Sequence, residues 1–297
     1  VKRVEDLTVL VTGSTDGIGK RTALDLAIMG ARVLVHGRDR RKGEATLEEI
    51  RSASGSGKLE YHNADLSSLD EVRRLADEVA EDRPGLDVLV NNAGIGSGRM
   101  AGRREVSADG YELRFAVNYL APFLLTYLLL PALRRSAPSR VVNVSSLGQS
   151  PLDLSDLMLQ RHYDGWDAYA QSKLALVMFT IDLAERLRDD GISVNAVNPG
   201  SLLDTNMVRE SFGRGRGDVQ QGADAIIHLA TSPDVEGVTG RFFDRMTEAR
   251  ANHQAYDPSV REALRRFSCR ATGIDRSSPL MKDEHAASAP AVRQRRL

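Results

Sequence analysis

Short runs of β-branched and other apolar residues recur along this chain, each followed at once by glycine or polar residues, and longer segments of helical periodicity separate them. The runs are Thr8 to Thr12, Arg32 to His36, Lys58 to Asn63, Asp87 to Asn91, Arg140 to Ser145, Ile192 to Asn198 and, more weakly, Arg241 to Asp244. The helical candidates between them are Gly17 to Met29, Arg41 to Ser52, Leu69 to Glu81, Tyr111 to Arg135, Tyr169 to Asp189 and Gln220 to Thr231. Strand and helix taking turns is the pattern of βαβ units, whose parallel strands are covered by helices on both faces. VLVT, VLVH, DVLVN and VVNV are apolar at nearly every position, so they predict strands buried on both sides, as in a doubly wound sheet. Ligands of such sheets sit beyond the carboxyl ends of the strands. The segments there are GSTDGIG, GRD, NADL, NAGIGSG, SSLG and NPGS, and they locate a site before any motif is named.

Composition removes several alternatives. With 40 Lys+Arg against 41 Asp+Glu the formal charge is −1, so no net field draws the chain to nucleic acid. Hydrophobic residues at 41% of 297 positions suffice for one large core. One cysteine, Cys269, offers neither an internal disulfide nor a cysteine metal cluster, which fits a reducing compartment. The six histidines show no ligand spacing, and no metal is expected. No targeting segment is visible, and the most apolar window, Tyr119 to Leu133, carries Pro122 and Pro131 and is too short to span a bilayer. A soluble, cytoplasmic protein is the expectation. Periodicity lapses near Ser268, so residues 1–267 predict one domain and residues 268–297 a poorly ordered tail; Gly213 to Gly217 reads as a mobile loop.

The first strand-to-helix junction reads Thr12-Gly13-Ser14-Thr15-Asp16-Gly17-Ile18-Gly19. There the unsatisfied N–H groups of a helix start can meet a pyrophosphate, and glycine lets the backbone come close. Spacing alone is weak, since ordinary turns also use glycine, but the first junction is where a dinucleotide fold holds its phosphates. At the end of the second strand, where a carboxylate accepts from a ribose hydroxyl, stand His36-Gly37-Arg38-Asp39. No acid occupies Gly37, and the Arg38 guanidinium suits a 2′-phosphate, so NADP(H) is preferred with NAD(H) still usable. Asp39 is the expected N-cap of the next helix.

Tyr169 and Lys173 stand four residues apart, on one helix face. A phenol holds its proton too tightly to act as a base near neutrality, and a neighbouring ammonium lowers its pKa. Only six of the 40 basic residues are lysines, which makes this one conspicuous.

TGSTDGIG, NADL, NNAG (Asn91 to Gly94), Asn118, VVNVSS (Val141 to Ser146), YAQSK and VNAVNPG, in that order, resemble the short-chain dehydrogenase/reductase family over about Leu7 to Phe243. The resemblance implies a Rossmann-type α/β fold, a doubly wound parallel sheet of about seven strands, and an NAD(P)-dependent enzyme acting on a small-molecule carbonyl or alcohol. It further implies that Tyr169 is the acid/base, that Lys173 lowers its pKa and binds the nicotinamide ribose, and that Ser146, rather than Ser145, orients the substrate oxygen. Asn118 would hold a water linking Lys173 to solvent. Gly13, Ser14, Thr15, Gly17, Ile18 and Gly19 would cradle the cofactor, with Asp65 and Leu66 beside adenine, Asn92, Ala93 and Gly94 along the adenosine ribose, and Pro199, Gly200 and Thr205 at the nicotinamide.

Two departures from the family pattern stand out. Ser146 and Tyr169 are 23 residues apart, a longer gap than is common, which resembles the retinol dehydrogenase-like branch. The segment Pro199 to Thr205 carries one residue more than the usual Pro-Gly-x-Val-x-Thr. Apolar residues of the added stretch and of the segment after the sixth strand, among them Leu152, Leu157, Trp166, Leu202, Met207 and Phe212, would line a lipophilic pocket or form small local cores. The helices Tyr111 to Arg135 and Tyr169 to Asp189 carry more apolar surface than one sheet face needs, which predicts a homo-oligomer, dimer or tetramer. A non-catalytic nucleotide-sensing or scaffolding protein on the same fold is the alternative, and the intact Tyr169, Lys173, Ser146 and Asn118 argue against it.

Overall fold

A computed structural model describes residues 2–82, 85–98 and 103–275. Its strands are β1 (Thr8–Val11), β2 (Arg32–Gly37), β3 (Leu59–Asn63), β4 (Val88–Asn91), β5 (Ser139–Val144), β6 (Ile192–Asn198), β7 (Phe242–Asp244) and β8 (Thr247–Ala249). They form one sheet in the order β3-β2-β1-β4-β5-β6-β7-β8, parallel except for β8. The jump from β1 to β4 reverses the winding and opens the crevice in which such sheets bind ligands. The seven strands expected are all present; β8, a three-residue antiparallel return, is too short and polar to show as a run.

Each inner strand divides its side chains between two cores. Val9, Val11, Val33, Val35, Val88, Val90, Val142 and Val144 face one side, where α1 (Gly17–Ile28) packs with α8 (Val219–Thr231). Leu10, Leu34, Leu89, Val141 and Val194 face the other, under α3 (Leu69–Asp82), α5 (Ala121–Arg135) and α6 (Gly165–Arg186). Full burial of such a side chain contributes about 1.5–3 kcal/mol, and a one-residue slip would exchange the two faces throughout.

The helices start on side-chain caps. Asp16 accepts from the first amide of α1, Asp39 caps α2 (Arg40–Ser54) as expected, and Asp164 caps α6. Because Asp164 begins α6 four residues before the expected start, Tyr169 lies in its second turn. Before α5 the chain forms α4 (Leu113–Phe115) and then one π turn, Ala116–Leu120, that carries Asn118. The continuous helix Leu113–Arg135 is long and apolar enough to cross a membrane, but most of its apolar stretch is buried within the fold.

Two helices have no counterpart among the candidate segments: the short α7 (Asn206–Phe212), capped by Thr205, and α9 (Pro258–Thr272), capped by Asp257. The last corrects the tail boundary, for Ser268, Cys269 and Thr272 are buried in a helix that runs past Ser268. Residues 276–297, the rest of the expected tail, lie outside the described residues. The packing of α9 on α6 also covers, within the chain, apolar surface from which self-association was expected. Gly213 to Gly217 is not a free loop: the amides of Arg216 and Gly217 donate to the Leu202 carbonyl, and the Gly217 carbonyl accepts from Asp204.

Candidate active site

At the carboxyl end of β1 the glycine loop is held by backbone. Gly13 and Gly17 have φ of +64° and +50°, which favours glycine. A Cβ on Gly13 would lie 2.8 Å from Ala93 Cα, and one on Gly19 would strike Asn92 and the Gly13 carbonyl, so these loops nest only without side chains. The Asn92 amide donates to the carbonyls of Thr12 and Gly13, at 2.8 and 3.2 Å. Thr12 Oγ1 accepts from the amides of Asn92 and Ala93. The carbonyls of this loop are thus bound from β4.

His36 locks the other side. Gly13 N–H donates to its Nδ1 at 3.0 Å, which fixes the neutral tautomer whose Nε2–H donates to the Ala64 carbonyl at 3.2 Å. Burial drives its pKa down to about 4. Ser14 is buried and bonds Val11 and His36, so it shapes the loop from within. Asp65 turns the β3 loop by accepting from the Ser67 amide, and Leu66 is buried beneath it. At the end of β2, a Cβ on Gly37 would lie 2.5 Å from Thr15 Cγ2, so no acidic side chain fits there without displacing Thr15. Arg38 is exposed. Lys42 instead pairs with Asp16 at 2.7 Å.

Across the crevice, α6 brings Tyr169 and Lys173 together under the end of β5. Lys173 Nζ lies 5.8 Å from the centre of the Tyr169 ring and donates to the Val144 carbonyl at 2.9 Å. It is 3% exposed, the one buried lysine among the described residues, and burial lowers its pKa to about 8. Burial raises the pKa of the Tyr169 phenol and a hydrogen bond from Ser146 opposes that rise. Gly148 N–H occupies one lone pair of Ser146 Oγ at 3.0 Å, which leaves the hydroxyl proton to point at the phenol. Ser145, by contrast, is buried and donates to the Lys173 carbonyl, so only the second serine faces the site.

Asn118 is brought to the same place by the π turn, a device that re-aims side chains within a helix. Its amide donates to the Ile95 carbonyl and Ser172 Oγ, and its Oδ1 accepts from the Ile95 amide at 2.8 Å. Both N–H groups are therefore spent on protein, and only an Oδ1 lone pair is left for water. The side chain fastens the loop after β4 to α6. A Cβ on Gly94 would lie 3.4 Å from Lys173 Nζ and 3.6 Å from Met207 Cε, so at Gly94 the bare backbone lines the crevice between them.

After β6, Pro199 is buried and Gly200 takes a φ of +136°. The extra residue in this segment does not carry Thr205 away: its methyl carbon is 3.2 Å from where a Cβ on Gly17 would stand, so α7 starts over the glycine loop. Asn206 donates to Asp16, the cap of α1. Of the apolar candidates, Leu152 and Leu157 are buried in the core, Met207 meets Gly96, and Trp166 and Leu202 are exposed. The side chain of Phe212 lies outside the described residues.

Residue motifs missed a second set. Arg114 donates to the carbonyls of Gly96 and Ser97, each at 2.9 Å, and to the Tyr163 hydroxyl at 2.8 Å. Glu112, 1% exposed, accepts from Tyr163 at 3.0 Å and pairs with Arg114. Burial, then the Glu112 carboxylate, holds the Tyr163 phenol well above its ordinary range. The buried pair of Glu112 and Arg114, with the half-buried Tyr163, joins the loop after β4 to the added stretch before α6, and no spacing rule signals the trio. Far from here, Glu60, His62 and Asp82 place ligand-type atoms within 4.8 Å of one another, with Glu60 engaged by Arg32.

A nucleotide crevice at the β1–β4 switch point, lined by a Ser-Tyr-Lys set, defines a class of oxidoreductase, and the sequence profile of short chain dehydrogenases matches residues 7–214. The chain belongs to the short-chain dehydrogenase/reductase family, of NAD(P)-dependent enzymes that interconvert alcohols and carbonyls. Within it the chain stands in the retinol dehydrogenase-like branch. It is 37% identical to retinol dehydrogenase 13 of Mus musculus over 290 residues, 90% of this chain and 84% of the mouse protein. It is 37% identical to human retinol dehydrogenase 14 over 286 residues, 86% and 83% of the two chains. A Mycobacterium paratuberculosis protein of solved structure superposes with a TM-score of 0.73 at 32% identity, covering 92% of this chain and 97% of that one. A Shigella flexneri short chain dehydrogenase, solved with NADP, gives 0.65 at 29% identity, over 82% and 99%.

Proposed function

We propose that this enzyme interconverts a lipophilic aldehyde or ketone and its alcohol, using NADP(H) in preference to NAD(H), with Tyr169 as the group that moves the proton. The observation that carries this reading is the buried Lys173 one helical turn from Tyr169, whose phenol receives the Ser146 hydroxyl. Bare backbone at Gly17, facing Thr205, and at Gly94, facing Asn118 and Lys173, supports a dinucleotide site along the glycine loop. Such a cofactor, when bound, supplies hydride to a carbonyl carbon or accepts it from an alcohol.

The chain's own groups do the rest. Ser146 donates a hydrogen bond to the substrate oxygen as negative charge grows there, and Tyr169 gives that oxygen its proton. In the reverse direction the phenolate takes the proton back. Lys173, charged below about pH 8, favours the phenolate over the phenol, against the burial that opposes it. Arg38 would pair with a 2′-phosphate, and the crowding at Gly37 excludes the carboxylate that would repel one. NADP in the Shigella flexneri relative supports the same choice.

The test is Tyr169→Phe. It should lower kcat by about 10²–10⁴-fold while NADPH affinity stays within about threefold. A variant retaining more than about a tenth of the wild-type rate would remove Tyr169 from the reaction.

A further inference from the structure

We infer that Trp166 determines specificity in this site: the enzyme prefers carbonyls conjugated to a flat aromatic ring, which lies against the indole. This rests on the reading of Ser146 and Tyr169 as the pair that receives the carbonyl oxygen. Trp166 stands one turn before Tyr169 on α6, with ring centres 5.7 Å apart and planes inclined by 32°. Its other edge is seated on Gly148, where a Cβ would lie 3.0 Å from Cη2. Gly148 is the residue whose amide holds Ser146 Oγ. The indole therefore flanks Tyr169 and the Gly148 backbone, where a Cβ would also lie 3.4 Å from Ser146 Oγ, and it cannot retreat toward Gly148 without displacing that backbone.

Despite this seat Trp166 is 43% exposed, and Leu147, the neighbour of Ser146, is 51% exposed. A large aromatic surface left open at a polar pair is surface a ligand can cover, and an aromatic ligand gains an offset stack beyond the area it buries. The substituent on the carbonyl carbon is the part of the substrate that reaches it. A puckered ring of the same size covers the indole less completely and lacks the quadrupole match.

Acetophenone and cyclohexyl methyl ketone, flat and puckered at equal carbon count, test this with NADPH. Trp166→Ala should raise the KM of acetophenone about tenfold and that of the cyclohexyl ketone less than about twofold, with kcat little changed, and Trp166→Phe should restore most of the loss. Equal effects on the two ketones, or a fall in kcat with no change in their KM ratio, would overturn the inference. Trp166 is the chain's one tryptophan, so its emission reports occupancy without turnover. Acetophenone should quench it saturably and the cyclohexyl ketone should not; unselective or unsaturable quenching counts against the indole contact. Selective quenching in an enzyme that reduces neither ketone would sink the reading of Ser146 and Tyr169 as the pair that receives this carbonyl and leave the Trp166 contact standing.

Discussion

The nucleotide side of the crevice and its substrate side are held together by different means. Around β1, β2 and β4 a glycine loop is gripped through its own backbone, whose N–H and carbonyl groups bond His36 and Asn92, and a Cβ at Gly13 or Gly19 would clash. On the substrate side, side chains also bond side chains, Tyr163 with Arg114 and Glu112 and Asn198 with Asp244, beside bonds between a side chain and backbone such as those between Gln254 and Leu152. Backbone contacts in a glycine loop tolerate almost no substitution, which suits a side that always receives the same cofactor. Side-chain pairs can be exchanged two at a time, which suits a side that must fit one substrate among many.

The strongest way to break this comparison is at Arg114. Its guanidinium is buried with Glu112, and removing one partner strands the other charge. Arg114→Ala should cost about 3–5 kcal/mol of unfolding free energy by urea titration. NADPH affinity of the folded protein should stay within about threefold, because the trio supports the loop after β4 from the substrate side. Unchanged stability with lost cofactor binding would show that the two sides are not separately held.

The same contrast explains what the sequence made legible. Seven strands, the glycine loop, Ser146, Tyr169 and Lys173 all follow from contiguous patterns, because runs and loops adjacent in sequence remain adjacent in space. The helix α9, the strand β8 and the trio of Glu112, Arg114 and Tyr163 do not. Glu112 and Arg114 carry no sequence mark of burial; the carbonyls of Gly96 and Ser97 and the Tyr163 hydroxyl, 51 positions from Glu112, complete the partners that offset it. Asn118 lies between these cases: its position was legible, but the π turn that spends its amide on Ile95 and Ser172 has no signature in composition.

On the nucleotide side the sharpest probe is pH. His36 is buried as the neutral form, with a folded pKa of about 4 against an ordinary 6.5. The unfolded chain therefore binds the proton first. The contribution of neutral His36 is whole above about pH 6.5 and is lost as pH falls toward 4, by about 3 kcal/mol in all. Urea midpoints between pH 7 and 4.5 should fall more steeply for the wild type than for His36→Asn, whose side chain cannot titrate. Parallel profiles would mean that Gly13 is not held by an uncharged imidazole.

The smallest expected effect bears on cofactor choice. Four cations follow the end of β2, Arg38, Arg40, Arg41 and Lys42; Lys42 is paired with Asp16 and with it helps tie the glycine loop to Asn206, whereas Arg38 stands first after the strand and is exposed. The preference for a 2′-phosphate should follow Arg38. A charge-assisted pair at an exposed site is worth about 1.4 kcal/mol, so Arg38→Glu should raise the KM for NADPH about tenfold relative to that for NADH. Lys42→Ala should shift both cofactors together, by acting through Asp16 on the loop they share. If the two substitutions exchanged these effects, the phosphate would be read by a side chain of α2 rather than from the strand end, and the nucleotide side would owe its selectivity to the same kind of side-chain pairing as the substrate side.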